Sequence, residues 1–250
     1  MVLHYDGADF SGWQYQPDSR TVQGQLEATL RRLLGKGGGR VKVAGAGRTD
    51  SGVHATGQVA AVDVPIRWSA RELRSALNAT VGKGIWIESA SVARPDFHPR
   101  YHARARTYLY RVGTDSLAAS PHEVGRCWPL RLPLDVGLLA RGSELLLGSR
   151  SFELFARAGQ SERGHVCTVS GAEWVPWRLG MAFRITANRF LHRMVRYLVG
   201  TLVDVARGRR PLSDIDGLLR RKPGLVTSPP APPSGLFLER VDYEPALGQE

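Results

Sequence analysis

The alternation of apolar and polar positions divides the chain into short elements. Residues 2–5 are short and β-prone and read as a first strand. Across residues 21–34 the apolar positions Val22, Leu26, Leu30, Leu33 and Leu34 recur at helical spacing and leave one buried face. Gly35 and the run Gly37, Gly38, Gly39 end that helix, and the run itself reads as a mobile surface turn. Residues 41–44 read as a strand entering a glycine-rich loop, 45–52, and residues 58–64 as another strand. Ser69 followed by Glu72 is a capping-box pattern for a helix reaching about Asn78. Residues 85–92 alternate again. The first hundred residues thus run β-α-β-β-α-β, the order of a ferredoxin-like unit.

The second part repeats the theme loosely. A β-prone stretch covers 101–112, and a helix covers 133–147 with Pro133 near its start. A hairpin joins 173–177 to 181–187 around Gly180. An amphipathic helix spans 190–206, a short helix 213–221 and a closing strand 236–243. The proline-rich piece 228–233 is a rigid approach to that last strand. The expected class is α+β, with halves 1–100 and 101–250.

Composition narrows the function classes. With 42% hydrophobic and 23% charged residues the chain is a folded one rather than a disordered one. Cys127 and Cys167 belong to no CxxC pair, so neither a structural zinc site nor a disulfide scaffold is expected. The first ten residues carry Asp6 and Asp9 and no long apolar run, which argues against a signal peptide. No stretch approaches the roughly 20 apolar residues of a membrane span, so a reducing cytoplasm is the expected setting. The net charge of +11 fits a polyanionic partner. Lysine stands only at Lys36, Lys42, Lys83 and Lys222, and arginine supplies the other cations. Its fork suits phosphate and its plane stacks on bases, although a GC-rich genome gives the same bias.

The chemistry concentrates in Gly45-Ala46-Gly47-Arg48-Thr49-Asp50-Ser51-Gly52-Val53-His54-Ala55. Glycines allow tight turns and close approach to a ligand. The segment lacks the Gly-Lys-Ser/Thr of a phosphate loop and the context of a dinucleotide fingerprint. Spacing alone leaves two readings, a catalytic carboxylate or a tight turn in which Asp50 accepts backbone hydrogen bonds. No GxSxG is present. His98 and His102 are separated by Pro99, which spoils a helical metal pair, and His165 with Cys167 reads as an ordinary loop.

The stretch from Gly47 to Ala55 resembles the catalytic loop of the tRNA pseudouridine synthase A family. The resemblance continues along nearly the whole chain, in the family's order: Tyr5-Asp6-Gly7 with Gly12-Trp13-Gln14; Thr21-Val22-Gln23; Arg106-Thr107-Tyr108-Leu109-Tyr110; Phe190 through Gly200; and Pro232 through Leu238. It implies two ferredoxin-like halves sharing a largely antiparallel sheet, with an RNA-binding cleft between them.

It also implies an isomerase that turns uridine into pseudouridine at tRNA positions 38, 39 and 40, acting as a homodimer with neither cofactor nor metal. Asp50 matches the essential aspartate, acting at the ribose by direct attack or through a glycal. Such a carboxylate must be ionised, and burial disfavours the charged form unless a cation compensates. Arg196 matches the arginine the family pairs with it; read without the family, it is a surface arginine on a helix. Tyr108 matches the tyrosine packed on a flipped-out uracil; Tyr110 reads as core. Arg48 matches the arginine at the place the base leaves, with Thr49 beside it, and Leu236 an apolar wall of the uracil pocket. His54 is structural or faces RNA. Arg104, Arg106 and Arg193 are the strongest phosphate-contact candidates. One departure is Tyr197, where the family pattern has asparagine.

Overall fold

The computed structural model describes residues 1–35, 41–157 and 164–244; the expected turn at Gly37, Gly38 and Gly39 lies outside them. The chain forms two compact units, residues 1–104 with those from 237 onward, and residues 105–236.

The first unit opens with β1 (Val2–Tyr5), which turns Leu3 and Tyr5 inward. Helix α1 (Val22–Leu34) starts at Thr21, whose hydroxyl accepts the Gly24 N–H at 3.2 Å. Its buried positions Val22, Leu26, Leu30 and Leu34 fall four apart, so they make one inward stripe. Strand β2 (Ala44–Gly45) is shorter than the sequence predicts, and β3 (His54–Ala61) starts four residues earlier. Helix α2 (Ala70–Thr80) carries the expected capping box in full. Its Asn78 side chain accepts the Ile87 N–H at 2.7 Å and donates to the Ile87 carbonyl at 2.9 Å, tying the helix to β4 (Ile85–Ser89). Strand β1 runs antiparallel to β3 on one side and to β4 on the other. The element order β-α-β-β-α-β is the one read from the sequence.

In the second unit β5 (Ala105–Gly113) pairs in parallel with the short β6 (Trp128–Pro129). Helix α3 (Val136–Glu144) begins three residues after Pro133, because the Asp135 side chain caps it by accepting the Leu138 N–H at 2.8 Å. Strands β7 (Gly148–Ser151), β8 (Val166–Trp177) and β9 (Gly180–Ala187) follow, in the antiparallel order β5-β9-β8-β7. The expected hairpin is there, but β8 reaches back to Val166 past a bulge between Val169 and Gly171. Helix α4 (Met194–Ala206) begins later than its apolar pattern, since Arg193 stands at φ 62 and cannot continue a right-handed helix. Helix α5 (Ser213–Leu219) completes the set.

The proline-rich segment packs along α4. The Ala231 N–H donates to the Arg196 carbonyl at 2.9 Å, and the Ser228 N–H to the Thr201 hydroxyl at 3.3 Å. It delivers β10 (Leu236–Asp242), which returns to the first unit and pairs in parallel with the start of β3, at Phe237 with His54 and Leu238 with Ala55. Strand β2 takes the far end of the same strand, at Ala61 and Ala60. The closing strand from Phe237 onward belongs with the first unit. The class is α+β with mostly antiparallel pairing. Among the described residues, no helix is long and apolar enough to cross a membrane.

Candidate active site

Strand β2 ends at Gly45, and the eight residues before His54 form the loop that carries Arg48, Thr49 and Asp50. Its ends are fixed by β3: the Ala46 N–H donates to the Val59 carbonyl at 2.8 Å. Its middle is held by the segment after β1. The Trp13 N–H donates to the Thr49 carbonyl at 3.1 Å, while the Phe10 carbonyl accepts the Ser51 hydroxyl at 3.3 Å and the Gly52 N–H at 3.4 Å. A turn closes where the Val53 N–H donates to the Asp50 carbonyl at 3.1 Å, with Gly52 at φ 77 in the position that requires a left-handed residue. Gly12 is needed for a different reason. It stands at φ 94, and a Cβ there would come 2.7 Å from the Thr49 carbonyl oxygen.

The result is a rigid loop with graded exposure: Arg48 is exposed, Asp50 half-buried and Thr49 buried. Two side chains beneath it have no role predicted from the sequence: Tyr5, which stands in the Tyr5-Asp6-Gly7 motif, and Gln58, which stands in none. The Thr49 hydroxyl lies 2.8 Å from the Tyr5 hydroxyl, and the fully buried Gln58 amide donates to the Gly47 carbonyl at 2.8 Å and to the Tyr5 hydroxyl at 3.3 Å. No local signal marks them, because the contact between Tyr5 and Gln58 joins residues 53 apart. His54 is structural: it is buried, its Nδ1 accepts the Gly7 N–H at 3.0 Å and lies 3.2 Å from the Asp6 carboxylate, and its ring stacks on Phe237 at 4.6 Å. Also in this unit, Arg104 is exposed and paired with Glu244. His98 and His102 serve a local turn, the Nδ1 of His98 accepting the Arg100 and Tyr101 N–H groups and that of His102 the His98 N–H.

The second unit brings together a different group. Arg106, Tyr108 and Tyr110 alternate onto one face of β5. Tyr108 is half-buried and meets Phe190 edge-to-face at 5.0 Å. Arg106 donates to the Asn188 carbonyl at 3.1 Å. Tyr110 is core, as expected, with its hydroxyl donating to the Pro232 carbonyl at 2.7 Å. Burial pushes that hydroxyl well above the usual tyrosine range, and the nearby positive charge of Arg196 opposes the shift. Arg196 sits in the first turn of α4, half-buried, with Nε donating to the Ala231 carbonyl at 2.7 Å. It is an anchored cation, not a loose surface arginine. Leu236 is buried at the start of β10, Arg193 half-buried at the head of α4, and Tyr197 half-buried one turn beyond it.

Burial pushes the Cys167 thiol up to about 11 and raises that of Cys127, so both are protonated near neutrality and poor nucleophiles. Among the described residues, no three His, Cys, Asp or Glu side chains gather as a metal ion would need.

A half-exposed carboxylate on a pinned loop, beside an exposed arginine, defines a carboxylate-bearing site of a basic α+β protein. Comparison with known proteins identifies the class. The family described as tRNA pseudouridine synthase matches residues 1–102 and 143–244. The tRNA pseudouridine synthase A of Geobacillus kaustophilus is 39% identical over 97% of this chain and 93% of its own length. That of Rhodopseudomonas palustris is 39% identical over 97% and 98%, and that of Myxococcus xanthus 38% identical over 97% and 91%. The chain belongs to the tRNA pseudouridine synthase family, isomerases that act on uridine in tRNA.

Proposed function

We propose that the chain isomerises uridine to pseudouridine at positions 38, 39 and 40 of the tRNA anticodon stem-loop, with Asp50 as its catalytic carboxylate. The observation that carries this reading is the setting of Asp50: half-exposed, on a loop held by the backbone of Phe10, Trp13 and Val53. A reacting group must be held to a fraction of an ångström, and it must also remain reachable. The carboxylate acts at the ribose of a flipped-out nucleotide. The N-glycosidic bond breaks, the uracil turns, C5 joins C1′ and the C5 proton is released while N1 gains one. Nothing is oxidised or added, so neither cofactor nor metal is called for.

Arg196 is the electrostatic partner of the reacting carboxylate, and its short bond to the Ala231 carbonyl keeps its guanidinium oriented. Tyr108, with its half-buried ring, packs on the uracil, and Leu236 lines the base pocket. Arg48 and Thr49 meet the nucleotide, and Arg104, Arg106 and Arg193 contact phosphate. The protein works in the cytoplasm as a homodimer.

The test is incubation with unmodified tRNA transcripts in EDTA, followed by pseudouridine mapping. Wild type is expected to modify positions 38–40. Asp50→Asn is expected to abolish turnover while RNA affinity stays within about tenfold, because phosphate contacts dominate binding. Modified uridines elsewhere, or an active Asp50→Asn, refute the reading.

A further inference from the structure

The catalytic loop rests on a buried polar chain to which the reaction assigns no part. Gln58 is 0% exposed, Thr49 7% and Tyr5 4%. Three polar side chains in an apolar interior destabilise the fold unless their bonds compensate. Compensation is incomplete here, since the Gln58 Oε1 has no hydrogen-bond partner among the described residues. An apolar residue of similar volume would avoid that unmet acceptor. What the amide contributes is its donor: Nε2 reaches the Gly47 carbonyl and the Tyr5 hydroxyl. A flipped amide would set its oxygen against the Gly47 carbonyl oxygen, so the orientation is determined.

The Tyr5 hydroxyl oxygen accepts from Gln58 at 3.3 Å and shares a second hydrogen bond with the Thr49 hydroxyl at 2.8 Å. Gly47 and Thr49 flank Arg48, and Thr49 precedes Asp50. The bonds from Gln58 and Tyr5 therefore grip the loop from below at two points, while Trp13 and Phe10 grip its backbone from the side.

We propose that Gln58 and Tyr5 are positioning residues that set the place of Asp50 through Gly47 and Thr49, and that their loss lowers the chemical step rather than RNA binding. The inference rests on Asp50 being the catalytic group. Tyr5→Phe removes one oxygen and keeps the ring. It is expected to lower kcat at least about tenfold with KM and tRNA affinity within about threefold, as a displaced reacting group does. Thr49→Val, at a residue that also meets the nucleotide, is expected to lower kcat at least as far. Because both cut one chain, the double variant should lose no more than about twice the larger single effect. Gln58→Met should match Tyr5→Phe; if it does not fold, the tyrosine and threonine variants still decide.

Loss of stability alone is controlled by Asn78→Ala, which unties α2 from β4 away from the loop. It should melt lower and keep its kcat. The inference fails if folded Tyr5→Phe keeps kcat within about twofold, if KM alone rises, if the Tyr5 and Thr49 losses multiply, or if Asn78→Ala loses kcat equally. Asp50→Asn separates the two levels. An active Asp50→Asn removes the underlying reading, whereas an inactive one beside a fully active Tyr5→Phe removes only this inference.

Discussion

Gly12→Ala is a strict test of whether backbone placement of the loop limits turnover. At φ 94 an alanine costs about 1–2 kcal/mol in strain alone. The new methyl would also stand 2.7 Å from the Thr49 carbonyl oxygen and 3.2 Å from the Asp50 carbonyl carbon, both backbone atoms that cannot swing aside. Relief requires the loop to move by several tenths of an ångström, and such overpacking adds about 1–3 kcal/mol. The expected loss of stability is therefore about 2–5 kcal/mol by denaturant titration. Displacement of this size at a reacting group lowers kcat by roughly tenfold or more. Gly148→Ala is the control. Gly148 stands at φ 87 with no described atom within 4 Å of where a Cβ would lie, so it incurs only the strain. It should lose about 1–2 kcal/mol and keep its kcat. Both are read by single-turnover assays on a tRNA transcript at a temperature where each variant is folded. Equal kcat in the two variants would refute the argument.

Two other outcomes are expected. If Arg196 has the electrostatic role proposed for it, Arg196→Ala should lower turnover at least about tenfold, and it should destabilise by about 1–3 kcal/mol by removing the Nε donor from the Ala231 carbonyl; normal turnover would remove Arg196 from the reaction. The Glu72 carboxylate lies below its ordinary value through bonds from the Ser69 side chain and backbone. Its contribution to stability is thus full above the ordinary glutamate range and is lost as pH falls through the lowered folded value. The melting-temperature gap between wild type and Glu72→Gln should be present at pH 7 and close in acid, and a gap constant with pH would contradict this.

The helices were readable because their signals are local. Thr21 and Ser69 announce their starts, and the four-residue spacing from Val22 to Leu34 fixes the buried face of α1. The loop holding Asp50 stood out by its glycines. Elements defined by distant partners were not readable. Strand β7 is mostly exposed and carries no apolar alternation, so only its pairing with β8 makes it a strand. The start of β3 was hidden because Thr56 and Gly57 interrupt its pattern. The apolar spacing overextends helix α4, since it continues through Leu191 while the backbone at Arg193 does not. Within the site, Arg48, Thr49 and Asp50 were visible as a motif. The support from Tyr5 and Gln58 was not, because it exists only after β1 and β3 lie side by side.

The return of β10 has a consequence for biosynthesis. The ribosome delivers β1 through β4 early, yet the partner for the first residues of β3 follows the whole of residues 105–236. At about 5–20 residues per second that delay is roughly 7–26 s. During it, the side of β3 that β10 will take at His54 and Ala55 stays open, next to the aspartate loop. The newborn N-terminal unit is thus an edge awaiting its last strand, and a chain released before residue 237 would keep that edge open to chaperones, to proteases or to pairing with its own kind.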